Sequence, residues 1–244
     1  MNTIQIAKKN VKMIAHRGLS GIEAENSNAA FVAAGNRSYF GIETDVHVTR
    51  DGKFIIHHDD SIKRMTGIDK ILEETDAVEL SLVRLYDRNR ENRETEETRS
   101  DLSLPTLDEY INICKKYGKV AVLELKRRMT PESIADIIEE LFDLDYIDNT
   151  IFISFSLMNV LDVRRLLPDQ KVQYLVSAWK DDLLEVLKND HLDLDIEYHQ
   201  VTPELVKLLH ENGIEINCWT VDSPEMATKL VEMGVDYITS NILE

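Results

Sequence analysis

Residues 40–58 read FGIETDVHVTRDGKFIIHH, two β-rich runs separated only by Thr49-Arg50-Asp51-Gly52. An Asp-Gly turn of this length closes an antiparallel hairpin, whereas parallel neighbours need a crossover of about a dozen residues or more. The second run therefore predicts a hairpin arm. The first run remains available as a strand of a parallel sheet.

Seven further β-rich runs alternate with amphipathic stretches of helical length, a pattern typical of an α/β protein with a parallel sheet. The nine runs lie at residues 11–15, 40–46, 54–57, 119–125, 150–154, 171–176, 192–198, 214–220 and 235–239. Without the arm, eight remain, and a chain of 244 residues is close to the usual length of a (β/α)₈ barrel, about 250. The sequence predicts a single TIM-barrel domain over residues 1–244. A doubly wound sheet is the alternative, but no Gly-x-Gly-x-x-Gly motif follows the first run.

Three predicted helices begin in the same way. Thr130-Pro131, Thr202-Pro203 and Ser223-Pro224 each place a hydroxyl residue at an expected N-cap and a proline at the first helical position. Because each pair follows a predicted strand, the spacing supports alternation of strands and helices along the chain.

Composition excludes several classes of function. The chain has 28 Lys and Arg against 45 Asp and Glu, a formal charge of -17, so its field repels a nucleic acid backbone. It contains no secretory signal pattern and no apolar run of transmembrane length, which predicts a cytoplasmic protein without a transmembrane segment. Cys114 and Cys218 are far apart and predict free thiols. The polar stretch at residues 87–101 predicts a solvated loop or helix end.

Polar residues at the ends of the predicted strands mark the candidate site, because the active sites of TIM barrels lie at the carboxyl ends of the strands. Glu43 and Asp45 are two apart and share one face of a strand, and Glu124 and Lys126 repeat this spacing. Three converging carboxylates form an oxygen-ligand site for a hard ion such as Mg²⁺ or Ca²⁺. The open alternative is a set of internal ion pairs in which Lys126 takes one carboxylate and Arg17 another.

Two histidines near these strand ends could accept and donate protons. His16 and His58 follow different strands beside the carboxylates, which suits an acid/base pair near neutral pH. His57 points to the opposite face from His58 on an extended run. Arg17 offers a fork for a phosphate and Lys126 a point charge. Together these residues suit metal-assisted cleavage of a phosphoester. Trp219 is either barrel filling or an apolar wall beside the substrate.

The pattern resembles the glycerophosphodiester phosphodiesterase family over nearly the whole chain, with its motifs in order. The matching segments are His16-Arg17-Gly18, Glu25-Asn26-Ser27, Ile42-Glu43-Thr44-Asp45-Val46, Thr49-Arg50-Asp51-Gly52, His58-Asp59-Asp60, Arg64-Met65-Thr66-Gly67, Leu104-Pro105-Thr106-Leu107-Asp108-Glu109, Leu123-Glu124-Leu125-Lys126, Trp219-Thr220-Val221-Asp222 and Gly234-Val235-Asp236. Two positions depart from the family pattern. Ala24 stands where a proline is usual, and Thr239-Ser240-Asn241 where Thr-Asp is common, so the polar contact expected from that Asp is not predicted here.

The resemblance implies a TIM barrel with a small inserted segment after the second strand, roughly residues 49–103, which includes the hairpin arm. It implies that His16 and His58 are the acid/base pair, and that Glu43, Asp45 and Glu124 bind one divalent cation. Arg17 and Lys126 would hold the phosphate, with Trp219 beside the substrate. The implied reaction hydrolyses a small-molecule glycerophosphodiester to glycerol 3-phosphate and an alcohol such as choline, ethanolamine or glycerol.

Two other functions fit the same barrel. A lysophospholipase D or a cyclising phosphodiesterase would use the same metal and histidines, and an exposed apolar rim would favour it. A barrel that binds a metal or phosphate without cleavage is disfavoured, because both histidines and all three carboxylates are intact. The sequence does not define the leaving alcohol, the choice between Mg²⁺ and Ca²⁺, or an oligomeric state.

Overall fold

The computed structural model describes residues 2–87 and 97–244, in which eleven strands and nine α-helices alternate. The strands are β1 (Lys12–Ala15), β2 (Gly41–Val48), β3 (Phe54–Ile56), β4 (Arg84–Tyr86), β5 (Thr98–Ser103), β6 (Val120–Leu125), β7 (Thr150–Ser154), β8 (Val172–Val176), β9 (Asp193–Glu197), β10 (Ile216–Trp219) and β11 (Tyr237–Ser240). The helices are α1 (Asn28–Gly35), α2 (Lys63–Thr66), α3 (Ala77–Leu80), α4 (Leu107–Tyr117), α5 (Pro131–Asp143), α6 (Leu157–Leu166), α7 (Leu183–Asn189), α8 (Pro203–Glu211) and α9 (Pro224–Met233). None of these helices has the length and apolar content needed to cross a bilayer.

Eight parallel strands close into a barrel in the order β1, β2, β6, β7, β8, β9, β10, β11. Closure occurs at β1, which pairs with β2 on one side and β11 on the other. Strand β3 pairs antiparallel to β2, with Val46 opposite Ile56. The predicted TIM barrel and its hairpin arm are therefore confirmed, and all nine predicted runs contain a strand.

The helix starts also follow the prediction. The side chains of Thr130, Thr202 and Ser223 each accept a hydrogen bond from the backbone N–H three residues later, at the starts of α5, α8 and α9. These bonds satisfy donors that a helix N-terminus leaves unpaired. The caps thus set the residue at which each of these helices begins.

Strand alternation separates two apolar layers. One lies inside the barrel and includes Ile14, Val122, Ile153 and Leu175, and the other fills the space between barrel and helices. On β2, Ile42 and Val46 pack in the outer layer. Glu43 and Asp45 alternate with them and point inward, as the two-residue period requires.

The hairpin of β4 and β5 was not predicted. Residues 98–101 belong to β5 rather than to a loop or helix end, so this part of the prediction was wrong, whereas residues 88–96 lie outside the described residues. Leu85 on β4 and Leu102 on β5 are buried in a second apolar cluster, which also contains Ile55, Ile62 and Met65. Two buried leucines and strand pairing thus hold β4 and β5 against this cluster, although most residues of β5 are polar.

Gly18, three residues after the end of the first barrel strand, has φ +73°, and a Cβ there would lie 2.7 Å from backbone and side-chain atoms of Ala30. We expect Gly18→Ala to destabilise the protein by about 2–5 kcal/mol, since left-handed strain and steric overlap add. Gly52→Ala is the matched control, because Gly52 has φ +74° with no atom within 4 Å of the added Cβ. Its cost is the strain alone, about 1–2 kcal/mol. Equal losses in urea unfolding for the two variants would contradict the overlap at Gly18.

Candidate active site

One cavity opens among the carboxyl ends of the barrel strands and has a volume of about 110 Å³. It is bordered by all eight barrel strands or the residues directly after them, and by the turn after β3. Residues that line it include His16, Glu43, His58, Glu124, Asp195 and Trp219. Five of these six were sequence candidates, and the barrel brings them together.

Three carboxylates converge beside this cavity. Asp45 on β2 is in register with Glu124 on β6, and Glu43 lies two residues before Asp45. One carboxylate oxygen from each lies within 4.8 Å of the others, and all three side chains are buried. Three converging carboxylates with oxygen-only donors fit a hard divalent cation.

The charges of the three carboxylates compete with one another. Burial, followed by the charges of Asp45 and Glu124, raises the pKa of Glu43 well above its usual value. Burial and the charge of Asp45 also raise the pKa of Glu124 to about 7. Burial acts in the same direction on Asp45, but Lys126 and Arg17 outweigh it and hold its pKa well below the usual range. Burial and mutual repulsion therefore disfavour the ionised forms of Glu43 and Glu124 beside the Asp45 carboxylate.

Two cations border the cluster. Lys126 Nζ lies 3.2 Å from Asp45 Oδ1 and 2.9 Å from Glu124 Oε1. Arg17 Nε lies 3.7 Å from Asp45 Oδ2, and its backbone N–H donates to Glu43 Oε2 at 2.8 Å. The ion pairs of the alternative interpretation are thus present. They leave Glu43 without a Lys or Arg side-chain nitrogen within 4.0 Å in the described parts of the chain.

His16 is held by an amide at the end of the last barrel strand. Its Nδ1 lies 2.8 Å from Asn241 Oδ1, and Asn241 Nδ2 donates to Asp222 Oδ2 at 2.7 Å. Because the amide nitrogen is committed to Asp222, the amide oxygen faces the imidazole and Nδ1 carries the proton. Nε2 is then the free base, 4.0 Å from Glu43. Burial, followed by the charge of Arg17, lowers the pKa of His16 to about 4.

His58 is held by a carboxylate instead. Its Nδ1 lies 2.6 Å from Asp59 Oδ1, and Arg64 Nε donates to Asp59 Oδ2 at 2.5 Å. Burial lowers the pKa of His58, and the charge of Asp45 opposes this effect. Its neighbour His57 is buried with Nε2 3.3 Å from the Ser61 carbonyl, so the two rings have different surroundings, as their alternation predicts.

An aromatic pair forms one wall of the cavity. Phe155, directly after β7, meets Trp219 edge to face, with ring centroids 5.5 Å apart. Trp219 packs against the inner apolar layer of the barrel and also borders the cavity, so it combines the two positions considered for it, and its contact with substrate stays a prediction. Sequence reasoning missed Phe155, Asp59, Asn241 and Asp195 as residues of the site. Phe155 and Asn241 both directly follow barrel strands, and that position was the available indication.

Glu25 joins Arg17 to the segment after the hairpin arm. Glu25 Oε1 accepts from Arg17 at 2.8 Å and from Arg64 at 2.7 Å. Burial opposes ionisation of Glu25, but Arg64 and Arg17 outweigh it and lower its pKa to about 2. The folded pKa lies below the unfolded value of 4.5. The carboxylate therefore stabilises the fold above pH 4.5, and this contribution is lost as the pH falls towards 2.

We expect Glu25→Gln to be less stable than wild type by about 2 kcal/mol at pH 7, with the difference shrinking between pH 4.5 and 3. Urea unfolding at pH 7, 4.5 and 3 measures this. Glu139→Gln, at an exposed position on α5, is the control and should match wild type throughout. A Glu25→Gln difference that stays constant with pH would show that the ion pairs do not set this pKa.

Comparisons with known proteins agree on one family. Residues 16–243 match the model of the glycerophosphoryl diester phosphodiesterase family. A glycerophosphodiester phosphodiesterase from Caldanaerobacter subterraneus subsp. tengcongensis is 27% identical, over 94% of this chain and 93% of its own length. A solved Oleispira antarctica phosphodiesterase in complex with the product sn-glycerol-3-phosphate superposes with a TM-score of 0.84 at 28% identity, covering 98% of this chain and 96% of its own. A glycerophosphodiester phosphodiesterase from Parabacteroides distasonis gives 0.78 at 29% identity, covering 95% and 93%.

Proposed function

Because the chain belongs to the glycerophosphoryl diester phosphodiesterase family, we propose that it hydrolyses glycerophosphodiesters with one divalent cation and with His16 and His58 as proton carriers. The family match and its relatives make the protein a glycerophosphodiester phosphodiesterase, a phosphoric diester hydrolase. The cation, the proton carriers and the products are the proposal. Its main support is the convergence of two histidines, Arg17, Glu43 and Glu124 at one cavity, with Asp45 and Lys126 in contact with these residues.

The cation site consists of Glu43, Asp45 and Glu124. A cation there would gain three converging oxygen ligands and would favour the ionised carboxylates that burial and mutual repulsion oppose. Oxygen-only donors favour Mg²⁺ or Ca²⁺. When bound, either ion would offset negative charge on the phosphoryl oxygens.

Arg17 and Lys126 orient the phosphate. Both already face Asp45, so their charges are aimed at the cluster rather than at solvent. Lys126 supplies a compact charge, and Arg17 supplies a planar set of donors suited to phosphate oxygens. A phosphodiester at the cavity mouth would then lie against cationic groups on one side and the histidines on the other.

The two histidines move protons at their Nε2 atoms. Hydrolysis requires one group that accepts a proton from the attacking oxygen and one that donates a proton to the leaving alkoxide. In His16, Asn241 holds the proton on Nδ1 and leaves Nε2 free. In His58, the Asp59 carboxylate orients the ring in the same way and stabilises its protonated form. Each ring therefore presents one nitrogen to the substrate.

Product identity tests the proposed reaction. Incubation with glycerophosphocholine should give a single phosphorus NMR signal at the shift of glycerol 3-phosphate, since hydrolysis breaks the bond between phosphorus and the choline oxygen. Accumulation of a cyclic glycerophosphate would instead show that a glycerol hydroxyl is the nucleophile and would assign a cyclising reaction. Release of phosphocholine would contradict the proposed position of cleavage.

A further inference from the structure

Asp195 on β9 is a buried carboxyl that the proposed mechanism does not use. Its side chain is only 2% exposed, yet it borders the cavity that holds His16, His58 and Glu124. Its Oδ1 has no hydrogen-bond partner in the described part of the chain. A buried polar atom without a partner costs folding free energy, and such a cost is commonly tolerated where a ligand satisfies the atom.

A second unpartnered polar atom lies on the same cavity. Trp219 Nε1, a donor, is buried without an acceptor in the described residues. Burial, followed by the charge of Glu124, raises the pKa of Asp195 well above its usual value, against the opposing effect of Asn217. The cavity thus holds an unpartnered oxygen of Asp195 and an unpartnered N–H of Trp219, a combination that suits hydroxyl groups, which both donate and accept hydrogen bonds.

The polar side chains of Gln173, Asn217 and Thr239, inside the barrel near Asp195, are bonded to one another. Asn217 Nδ2 donates to Gln173 Oε1 at 3.2 Å, and Thr239 Oγ1 donates to Asn217 Oδ1 at 3.2 Å. Asp195 is paired in register with Asn217 on the neighbouring strand, but neither of these two bonds includes it. This polar set thus holds together without Asp195 Oδ1.

Two spaces flank the positions of His16 and Arg17. The cavity with Asp195 has a volume of about 110 Å³ and apolar walls that include Leu175, Phe155 and Trp219. The other space has a volume of about 250 Å³ and contains Glu25 and Arg64. A phosphodiester bound at His16 and Arg17 would place one substituent on each side. The small cavity suits the glycerol moiety that all substrates share, and the larger, charged space suits the variable alcohol.

We propose that this small cavity is the glycerol subsite and that Asp195 determines specificity there by hydrogen bonding a glycerol hydroxyl. The inference rests on the proposed function. The carbon chain of glycerol would lie against the aromatic wall, one hydroxyl would meet Asp195, and the Trp219 N–H would donate to a second oxygen.

The test combines substrates that lack one hydroxyl with variants at one position. The substrates are phosphocholine diesters of glycerol, of 1,2-propanediol and of 1,3-propanediol, the last two lacking the terminal and the central hydroxyl respectively. For wild type we expect kcat/KM to fall by about tenfold or more for at least one of the two diols. Asp195→Leu should bring all three substrates within about threefold of one another. Asp195→Asn, neutral and of the same shape, should retain most of the wild-type preference.

Stability separates a specificity role from a structural one. Asp195→Leu removes an unpartnered buried oxygen together with the hydrogen bond to Asn217, so its Tm should stay close to that of wild type. Asp195→Ser, whose side chain is too short to reach the same atoms, provides the same comparison of substrates if the leucine variant does not fold. Equal losses of kcat/KM for all three diesters in either variant would overturn the proposal, as would an unchanged preference. If wild type cleaved none of the diesters, the proposed function itself would fail, which is a different result from cleavage without a role for Asp195.

Discussion

Replacement of His16 or His58 by alanine is expected to lower kcat by about 10²–10⁴-fold, the usual contribution of a positioned acid or base. The reason is geometric, since each ring has Nδ1 tied to its own partner and only Nε2 available at the cavity. Removal of either proton carrier leaves the other without its counterpart. The double variant should therefore lose little more than the more impaired single variant, because the two groups act as a unit.

His199→Ala is the control for this experiment. His199 is exposed and hydrogen-bonds Glu197, and it does not line the cavity. Its variant should turn over like wild type. Steady-state kinetics with glycerophosphocholine measure all four variants, and Tm values confirm folding. Activity within about threefold of wild type for both His16→Ala and His58→Ala would refute their assignment as proton carriers.

The second large effect is expected at the carboxylate cluster. Glu43→Gln, Asp45→Asn and Glu124→Gln each keep the shape of the side chain but remove a charge and a strong oxygen ligand. Each should lower activity by about 10²-fold or more, since charge stabilisation at the phosphoryl group is a dominant part of such catalysis. Glu43→Gln should also raise Tm in the absence of divalent cations, because it relieves repulsion among buried carboxylates.

Thermal unfolding measures the cation directly. A cation at 100 times its Kd stabilises the folded state by about 2.7 kcal/mol, which for a chain of this size corresponds to roughly 5–10 °C in Tm. We expect wild type to show such an increase with Mg²⁺ or Ca²⁺, and Glu43→Gln to show little of it. Glu139→Gln, with its exposed carboxylate on α5, should respond like wild type. A full cation response in Glu43→Gln would place the ion elsewhere.

The barrel was predictable because the sequence patterns that indicate its strands and helices lie within short stretches of the chain. Alternation of β-rich and amphipathic runs, and the Asp51-Gly52 turn, determined the strand count and the hairpin arm. The β4–β5 hairpin was not predictable, because its order depends on Leu85 and Leu102 meeting an apolar cluster formed by distant segments. The local composition of β4 and β5 indicates that most of their residues are polar, but it does not predict that they pair as strands.

The same distinction, between local patterns and contacts made by distant segments, applies to the residues of the site. The positions of Glu43, Asp45 and Glu124 followed from strand periodicity and the rule that active sites lie at strand ends. The partners of those residues depend on how the ring of strands closes. Asn241 reaches His16 because β11 lies beside β1 in the closed barrel. No residue spacing in the sequence indicates that contact. Because Asn241 stands where the family usually has Asp, no polar contact was predicted for this position.

Release of glycerol 3-phosphate from glycerophosphocholine and glycerophosphoethanolamine, with added Mg²⁺ or Ca²⁺ and again with excess EDTA, tests the central claim most directly. The account predicts release with at least one of the two ions and its loss in EDTA, with recovery when the ion is restored. Undiminished release in EDTA would contradict the role of the carboxylate cluster, and no release with either ion would contradict the proposed reaction.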